Sequence, residues 1–392
     1  MGIKKKILWI NSSADFTGGC ESYIYHTARY LREYDFDNIL IYDVEGWTEP
    51  AYLKGFEESY PRVDLSRQIK ELKPDIIYVH RLSGQLAIKE LLQCGVPVVR
   101  FFHDHTLFCL REHKYRTIGH ATCTKATGMR CYPCLGFINR SNNWTKIKVS
   151  SLRKLQQEQK LNSKLHGFIV ASEYMKQHLE LHKFDSKKII VNPLYSWKSK
   201  TEEKVVKTSN YFLFAGQLLR GKGVDIALEA MKFLPQDVRL YIAGRGRQET
   251  EFKKLCKKLN IEQKVKFLGF IEQNKLQKLF TESLCLIMPS RVPETFGLSG
   301  LEAMSFSKPV IASNVGGIGQ WLRNGYNGIL LKNNTATELS VAMLNLFKNQ
   351  QKAATMGKKG NELYMKEFQA ENHIKPLAEY FNKIISGGHD VK

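Results

Sequence analysis

The sequence predicts an α/β protein built from two similar parallel-sheet domains facing across a cleft, with a cysteine-rich basic insertion in the first. Three observations predict it. Short apolar strands alternate with helical patterns over most of the 392 residues, which implies parallel sheets covered on both faces. The alternation lapses at a polar, Lys/Glu/Thr-rich stretch, residues 197–209, and then restarts. The length suits two or three domains.

The elements follow in order. Residues 6–10 read as a buried strand, and Gly18-Gly19-Cys20-Glu21 opens a helix through Tyr25, Ala28 and Leu31. Residues 38–42, 75–80 and 97–102 repeat the short apolar pattern. Residues 168–172, a helix from Glu173 and residues 189–193 complete this domain. After the linker come strands at 211–216, 239–244, 265–269, 284–289 and 309–312, with helices from near Val224, Gln248, Asn274, Phe296 and Thr335. The expected boundaries are 1–196 for the first Rossmann-like domain (insertion about 104–145), 197–209 for the linker and 210–370 for the second domain. Residues 371–392 are expected to form a helix that packs back on the body, since Ile374, Leu377, Tyr380, Phe381 and Ile384 make an apolar stripe.

Composition narrows the function classes. Hydrophobic content of 43% with 25% charged residues suits a folded globular chain. No apolar run is long enough to span a membrane, and the first six residues lack a signal-peptide core, so a cytoplasmic protein is expected. The net charge of +21 suits either an anionic partner or a solvated basic face that only keeps the protein soluble. Between Arg111 and Lys164 stand twelve Lys and Arg against Glu112 and Glu158 alone, a concentrated patch rather than a uniformly solvated surface.

Candidate chemistry gathers at three strand ends. The segment 293–304 joins the strand at 284–289 to the one at 309–312 through a loop and a helix. Strand, loop, helix and strand form a βαβ unit, which binds ligands at the carboxyl ends of its strands. Glu294 falls in the loop and Glu302 about two turns into the helix. The backbone N–H groups of Phe296, Gly297 and Leu298 lie at the helix start, where an anion is favoured. Two carboxylates beside an anion site suit a ligand with both hydroxyls and phosphate, a nucleotide-sugar. Glutamates eight apart are common on ordinary surfaces, so the flanking motifs matter. Gly216-Gln217-Leu218-Leu219-Arg220-Gly221-Lys222-Gly223 occupies the equivalent place after the first strand of the second domain. Lys222 between glycines can reach phosphates as a compact charge, and Gly223 in place of Ser/Thr argues against a P-loop ATPase. Gly18-Gly19 lets the backbone approach a phosphate or sugar closely, though a plain turn would use the same residues. His103, after the strand at 97–102, can bond a substrate hydroxyl or move a proton.

Taken together, Glu294-x7-Glu302, the loop from Gly216 to Lys222-Gly223, Gly18-Gly19-x-Glu21, His103 and Asn314-Val315-Gly316-Gly317 resemble retaining glycosyltransferases of family 4. The resemblance covers nearly the whole chain and is most specific between Tyr211 and Leu331. It implies the GT-B fold and hexosyl-type transfer from a UDP- or GDP-sugar to a hydroxyl of a glycan or lipid-linked glycan, as in polysaccharide synthesis. It gives the donor diphosphate to Lys222 and to the loop of Gly18 and Gly19. It also gives the transferred sugar to Glu294, the ribose hydroxyls to Glu302, proximity to the reacting sugar to His103, and the nucleobase to Gly269, Phe270 and Ile271. Many members carry Arg where this chain has Gln217, so either Arg220 supplies the second cation or Lys222 and the helix dipoles alone hold the diphosphate. Such enzymes usually work without a catalytic metal, the departing diphosphate helping to deprotonate the acceptor on the same face.

Cys109, Cys123, Cys131 and Cys134, the last two as Cys-x2-Cys, are a candidate structural zinc set, with His105, His113 and His120 as alternative ligands and free thiols as the competing reading. Similar cysteine-rich insertions occur in some family members. The basic insertion is expected to face the acceptor, and through it an anionic membrane surface at the inner face of the membrane. Three alternatives stand beside the transferase: a UDP-sugar epimerase or phosphorylase on the same fold, a basic nucleic-acid or membrane-surface binder, and a zinc-stabilised interaction module. Nucleic acid is not the expected partner, because no RNP, helix-turn-helix or zinc-finger pattern accompanies the charge.

Overall fold

The structure, a computed structural model, describes residues 4–387 apart from 17, 46–47, 83, 117–118, 120, 141–146 and 197–209. The expected linker and His120 lie outside the described residues. The chain divides into two units. The first takes Met1–Lys114, Thr124–Pro193 and Glu371–Lys392, and the second takes Tyr115–Cys123 and Leu194–Ala370.

The first unit contains β1 (Lys5–Asn11), β2 (Phe36–Asp43), β3 (Glu58–Arg62), β4 (Ile76–Val79) and β5 (Val98–Phe101). A short antiparallel hairpin, β6 (Ile138–Arg140) and β7 (Ile147–Val149), precedes β8 (Gly167–Val170) and β9 (Ile189–Val191). Its main sheet is parallel throughout, in the order β3-β2-β1-β4-β5-β8-β9. Inner strands read as unbroken apolar runs because helices cover both faces; Ile7, Leu8, Trp9 and Ile10 are all buried. Each such side chain contributes about 1.5–3 kcal/mol on burial. Edge strand β3 escapes sequence reading for the complementary reason. Its Glu58-Ser59-Tyr60-Pro61-Arg62 is largely exposed, and Pro61 cannot donate to a ladder, which suits only an edge.

The helix Ala370–Ile385 belongs to this first unit. Phe381 sits with its ring 5.0 Å from Tyr78 and 6.2 Å from Phe36. His373 bonds the Tyr23 hydroxyl at 2.8 Å and receives the Asn192 amide on its carbonyl at 3.1 Å. A Cβ at Gly167 would come 2.0 Å from the Tyr380 hydroxyl, so the helix lies against strand β8 where no side chain fits.

The second unit holds β10 (Tyr211–Ala215), β11 (Arg239–Ala243), β12 (Val265–Gly269), β13 (Cys285–Met288), β14 (Val310–Ser313) and β15 (Gly328–Leu331). These form a parallel sheet in the order β12-β11-β10-β13-β14-β15. β15, short and at an edge, is the strand that periodicity misses here. Strand order reverses between β10 and β13 in this unit and between β1 and β4 in the first. Such switch points open a crevice at the carboxyl ends of the strands. Among the described residues, no helix is long and apolar enough to cross a membrane.

Candidate functional site

In the second unit the loops after β10 and β13 flank the switch point and are tied together by backbone. Gly221 accepts from the N–H groups of Arg291 at 2.8 Å and Val292 at 3.0 Å. The Arg291 guanidinium forks onto Asp225 at 2.7 and 3.0 Å and also bonds the Arg220 carbonyl at 2.8 Å. Bidentate pairs of this kind fix geometry as well as adding energy. Gly223 has φ of 78°, and a Cβ there would stand 1.8 Å from the Pro289 carbonyl oxygen. Only glycine meets both demands.

This stitching puts Lys222 opposite Glu294. The ammonium lies 2.8 Å from both carboxylate oxygens, and Ser290 Oγ donates to Oε1 at 2.6 Å. Glu294 is 8% exposed, so its charge needs this partner. Behind it, Gly317 N–H donates to the Glu294 carbonyl at 2.7 Å, and Gly316, at φ of 61°, has no room for a Cβ beside that carbonyl. The helix Leu298–Ser305 begins two residues later than expected, after Gly297 at φ of 93°. The Phe296 ring is buried in the core and its carbonyl accepts from Trp321 Nε1 at 2.7 Å, so it can serve a ligand only through its backbone. Glu302 is half-buried, and desolvation lifts its carboxyl to about 7, against a lowering by its hydrogen bond with Gln273.

The remaining expected residues spread along the same edge. Gly216, at φ of 157°, and Gln217 are exposed just beyond β10. Arg220 Nε lies 3.7 Å from Asp225, and its backbone N–H is capped by Gln248 at 2.6 Å. Phe270 is exposed beyond β12 with the Arg245 guanidinium 6.0 Å from its ring centre, and Ile271 is half-buried. The segment Tyr115–Cys123 also belongs to this unit. Thr122 Oγ1 donates to the Arg291 carbonyl at 3.0 Å, and the Tyr115 ring presses against Gly221. Part of the insertion therefore rests on the loops that carry Lys222 and Glu294.

In the first unit, Gly18 precedes the helix Gly19–Leu31, and a Cβ there would lie 2.5 Å from Glu21 Oε2. A side chain at Gly18 would therefore have to push the Glu21 carboxylate aside. Glu21 is buried and salt-bridged to Arg81 at 2.7 Å. His103 stands beyond β5, its ring stacked on Phe101 with centroids 4.1 Å apart. His80 Nδ1 meets His103 Nε2 at 2.7 Å, and His80 stacks flat on Trp9. Burial, then the neighbouring charges, holds both imidazoles well below their ordinary range, so both are neutral near pH 7.

Two family models tile this sequence: Glycosyltransferase Family 4 over residues 17–194 and Glycosyl transferases group 1 over residues 196–363. The chain belongs to glycosyltransferase family 4. An uncharacterized glycosyltransferase of Methanocaldococcus jannaschii is 31% identical over 45% of this chain and 48% of its own. The D-inositol 3-phosphate glycosyltransferase of Pseudarthrobacter chlorophenolicus is 29% identical over 42% of this chain and 41% of its own. The chain thus spans about half the length of the curated relatives it matches, or less. Among solved structures, Anabaena HepE in complex with UDP and glucose superposes with a TM-score of 0.74 at 18% identity, covering 97% of this chain and all of that one. Sucrose-phosphate synthase of Thermosynechococcus elongatus gives 0.71 at 19% identity, over 98% of this chain and all of that one. These likenesses establish the GT-B fold for this family 4 chain, with two Rossmann-like domains.

Within this member of family 4, Lys222, Glu294 and the start of the Leu298 helix converge on one sheet edge, as do Gly18, Gly19 and His103 in the first unit. Sequence reading missed Ser290, Arg291 and Asp225, which hold the two loops in register. It also passed over His80, although that residue ends the strand read at 75–80. The zinc set expected at Cys109, Cys123, Cys131 and Cys134 is not one that the structure assembles. All four are half-buried, and among the described residues the group of His, Cys and acidic side chains with metal-binding proximity is Cys20, His80 and His103.

Proposed function

We propose that this chain is a retaining glycosyltransferase, of hexosyl type, that moves a sugar from a nucleotide-diphosphate donor, a UDP-sugar first among candidates, to a hydroxyl of a glycan or lipid-linked glycan. One observation carries the reading: Lys222 Nζ at 2.8 Å from both Glu294 oxygens, at the switch point of a parallel sheet. That couple is a closed pair which a ligand with phosphate and hydroxyls can open to its own advantage. The diphosphate takes the ammonium, and the sugar hydroxyls donate to the carboxylate. Neither charge is then left buried without a partner.

In the reaction the bond from the anomeric carbon to the diphosphate oxygen breaks, and a bond to the acceptor oxygen forms on the same face. The acceptor proton passes to the departing diphosphate. Negative charge grows on the leaving group, where Lys222 and the N–H groups at the start of the Leu298 helix are already oriented, so stabilisation requires little reorganisation. His103, as a neutral imidazole, is assigned to a sugar hydroxyl, Glu302 to the ribose, Phe270 and Ile271 to the base, and Gly18 and Gly19 to phosphate. Arg220 and exposed Gln217 are assigned to the outer phosphate. No step is assigned to a metal. That solved neighbours were obtained with UDP and UDP-glucose supports beginning with uridine.

Calorimetry across UDP-, GDP- and ADP-sugars tests this. The expected result is binding of one donor class, weakened at least tenfold in each of Lys222→Ala, Glu294→Ala and Glu302→Ala. Absence of binding by every donor contradicts the reading. For the acceptor, the basic stretch Arg111–Lys164 supports a lipid-linked substrate approached on an anionic membrane face. Vesicle co-sedimentation should rise with anionic lipid and fall with salt, and equal binding to neutral and anionic vesicles would refute this part.

A further inference from the structure

Three chain segments distant in sequence deliver soft donor atoms to one point of the first unit. Cys20 lies at the start of the helix after β1, His80 directly follows β4 and His103 follows β5. These strands are neighbours in the order β1-β4-β5, so their carboxyl ends open side by side at the switch point. One ligand atom from each residue lies within 4.8 Å of the others. Cys20 is buried, His80 is buried and His103 is half-buried.

We propose that Cys20, His80 and His103 form a zinc-binding site with an open fourth position, and that occupancy shuts off sugar transfer. Thiolate and imidazole are the ligands that a borderline-soft divalent cation prefers, and three protein ligands leave one coordination position for water or a substrate oxygen. In a tetrahedral site, zinc bonds of ~2.0–2.3 Å place ligand atoms roughly 3.3–3.6 Å apart. His80 Nδ1 and His103 Nε2 now share a hydrogen bond at 2.7 Å; the metal takes the place of that proton, which moves to the other nitrogen of the donor ring, while the rings separate by about half an ångström. The Cys20 thiol, which burial keeps protonated, releases its proton on binding. Stacking of His80 on Trp9 and of His103 on Phe101 restrains both rings. Inhibition rests on the transferase reading, because it follows from withdrawing His103 from the sugar; metal binding does not.

The test uses the full chain with Zn²⁺ in calorimetry and Co²⁺ as an optical probe, comparing wild type, Cys20→Ser, Cys20→Ala and a Cys109/Cys123/Cys131/Cys134→Ser chain. Wild type and the quadruple variant should both bind a cation with thiolate-to-cobalt charge-transfer absorption. Both Cys20 variants should lose one equivalent, or bind it more than about 100-fold more weakly, since even outer-shell losses cost about 10–100-fold. Metal-free melting curves keep a folding defect distinct from a lost ligand. Zinc should inhibit donor turnover in wild type, and Cys20→Ser, with unchanged metal-free turnover, should resist it. The same number of metal equivalents in Cys20→Ser as in wild type would overturn the proposal. If no donor is turned over, the transferase reading fails while the metal titration still decides this one.

Discussion

Lys222→Ala is expected to lower kcat/KM for the nucleotide-sugar by about 10²–10³-fold, the usual cost of removing one preoriented donor from a developing anion. The same change strands Glu294, 8% exposed, with Ser290 as its remaining side-chain donor in the structure. A fully buried ion pair broken on one side costs about 3–5 kcal/mol. The Lys222 side chain is 31% exposed, so water can reach the carboxylate and the loss should stay below about 2 kcal/mol. Adding Glu294→Gln removes the stranded charge. The double variant should therefore melt closer to wild type than Lys222→Ala alone while remaining as inactive. Melting curves and steady-state kinetics separate the two effects; additive losses in both would show that the pair is not energetically coupled.

The second large effect concerns pH. Glu302, held at about 7 by burial, is mostly protonated at pH 6, where an ordinary glutamate is ionised. Ribose hydroxyls donate to a carboxylate, so donor binding favours the ionised form and releases a proton. The donor Kd should accordingly rise as pH falls below about 7, by at most tenfold per unit. Folding responds in the other sense. With its folded value raised, the group adds nothing below its ordinary 4.5 and costs stability as pH climbs from there towards 7. Glu302→Gln should bind donor more weakly at pH 8, show a flat Kd between pH 5.5 and 7.5, and gain stability relative to wild type as pH rises. Calorimetry in two buffers of different ionisation heat reads the proton directly. An identical slope in wild type and Glu302→Gln would remove Glu302 from the explanation.

The inner strands were legible because a parallel sheet buries both faces, which leaves unbroken apolar runs at residues 7–10, 211–216 and 284–289. Edge strand β3 has no such pressure on its composition and left no signal. Glu294 could be singled out because its neighbours repeat a known spacing. The Arg291–Asp225 fork could not, since 66 positions separate partners that meet only once both loops are in place. Convergence of Cys20, His80 and His103 depends on the lateral order of β1, β4 and β5, which no local pattern encodes. For the same reason no local pattern reveals that Tyr115–Cys123 belongs to the second unit, where Thr122 bonds Arg291.

The return of the helix Ala370–Ile385 to the first unit sets an order of events on the ribosome. The second unit has all of its chain once Ala370 has emerged, whereas the first still lacks the residues that pack on Tyr78, Phe36 and Tyr23. Domains fold as units during synthesis, the earlier-completed one first. Here the first unit must wait for residues translated after the whole of the second, holding an uncovered apolar sheet face while its neighbour matures. Chaperone dependence and the damage done by late premature stops should both concentrate on that half.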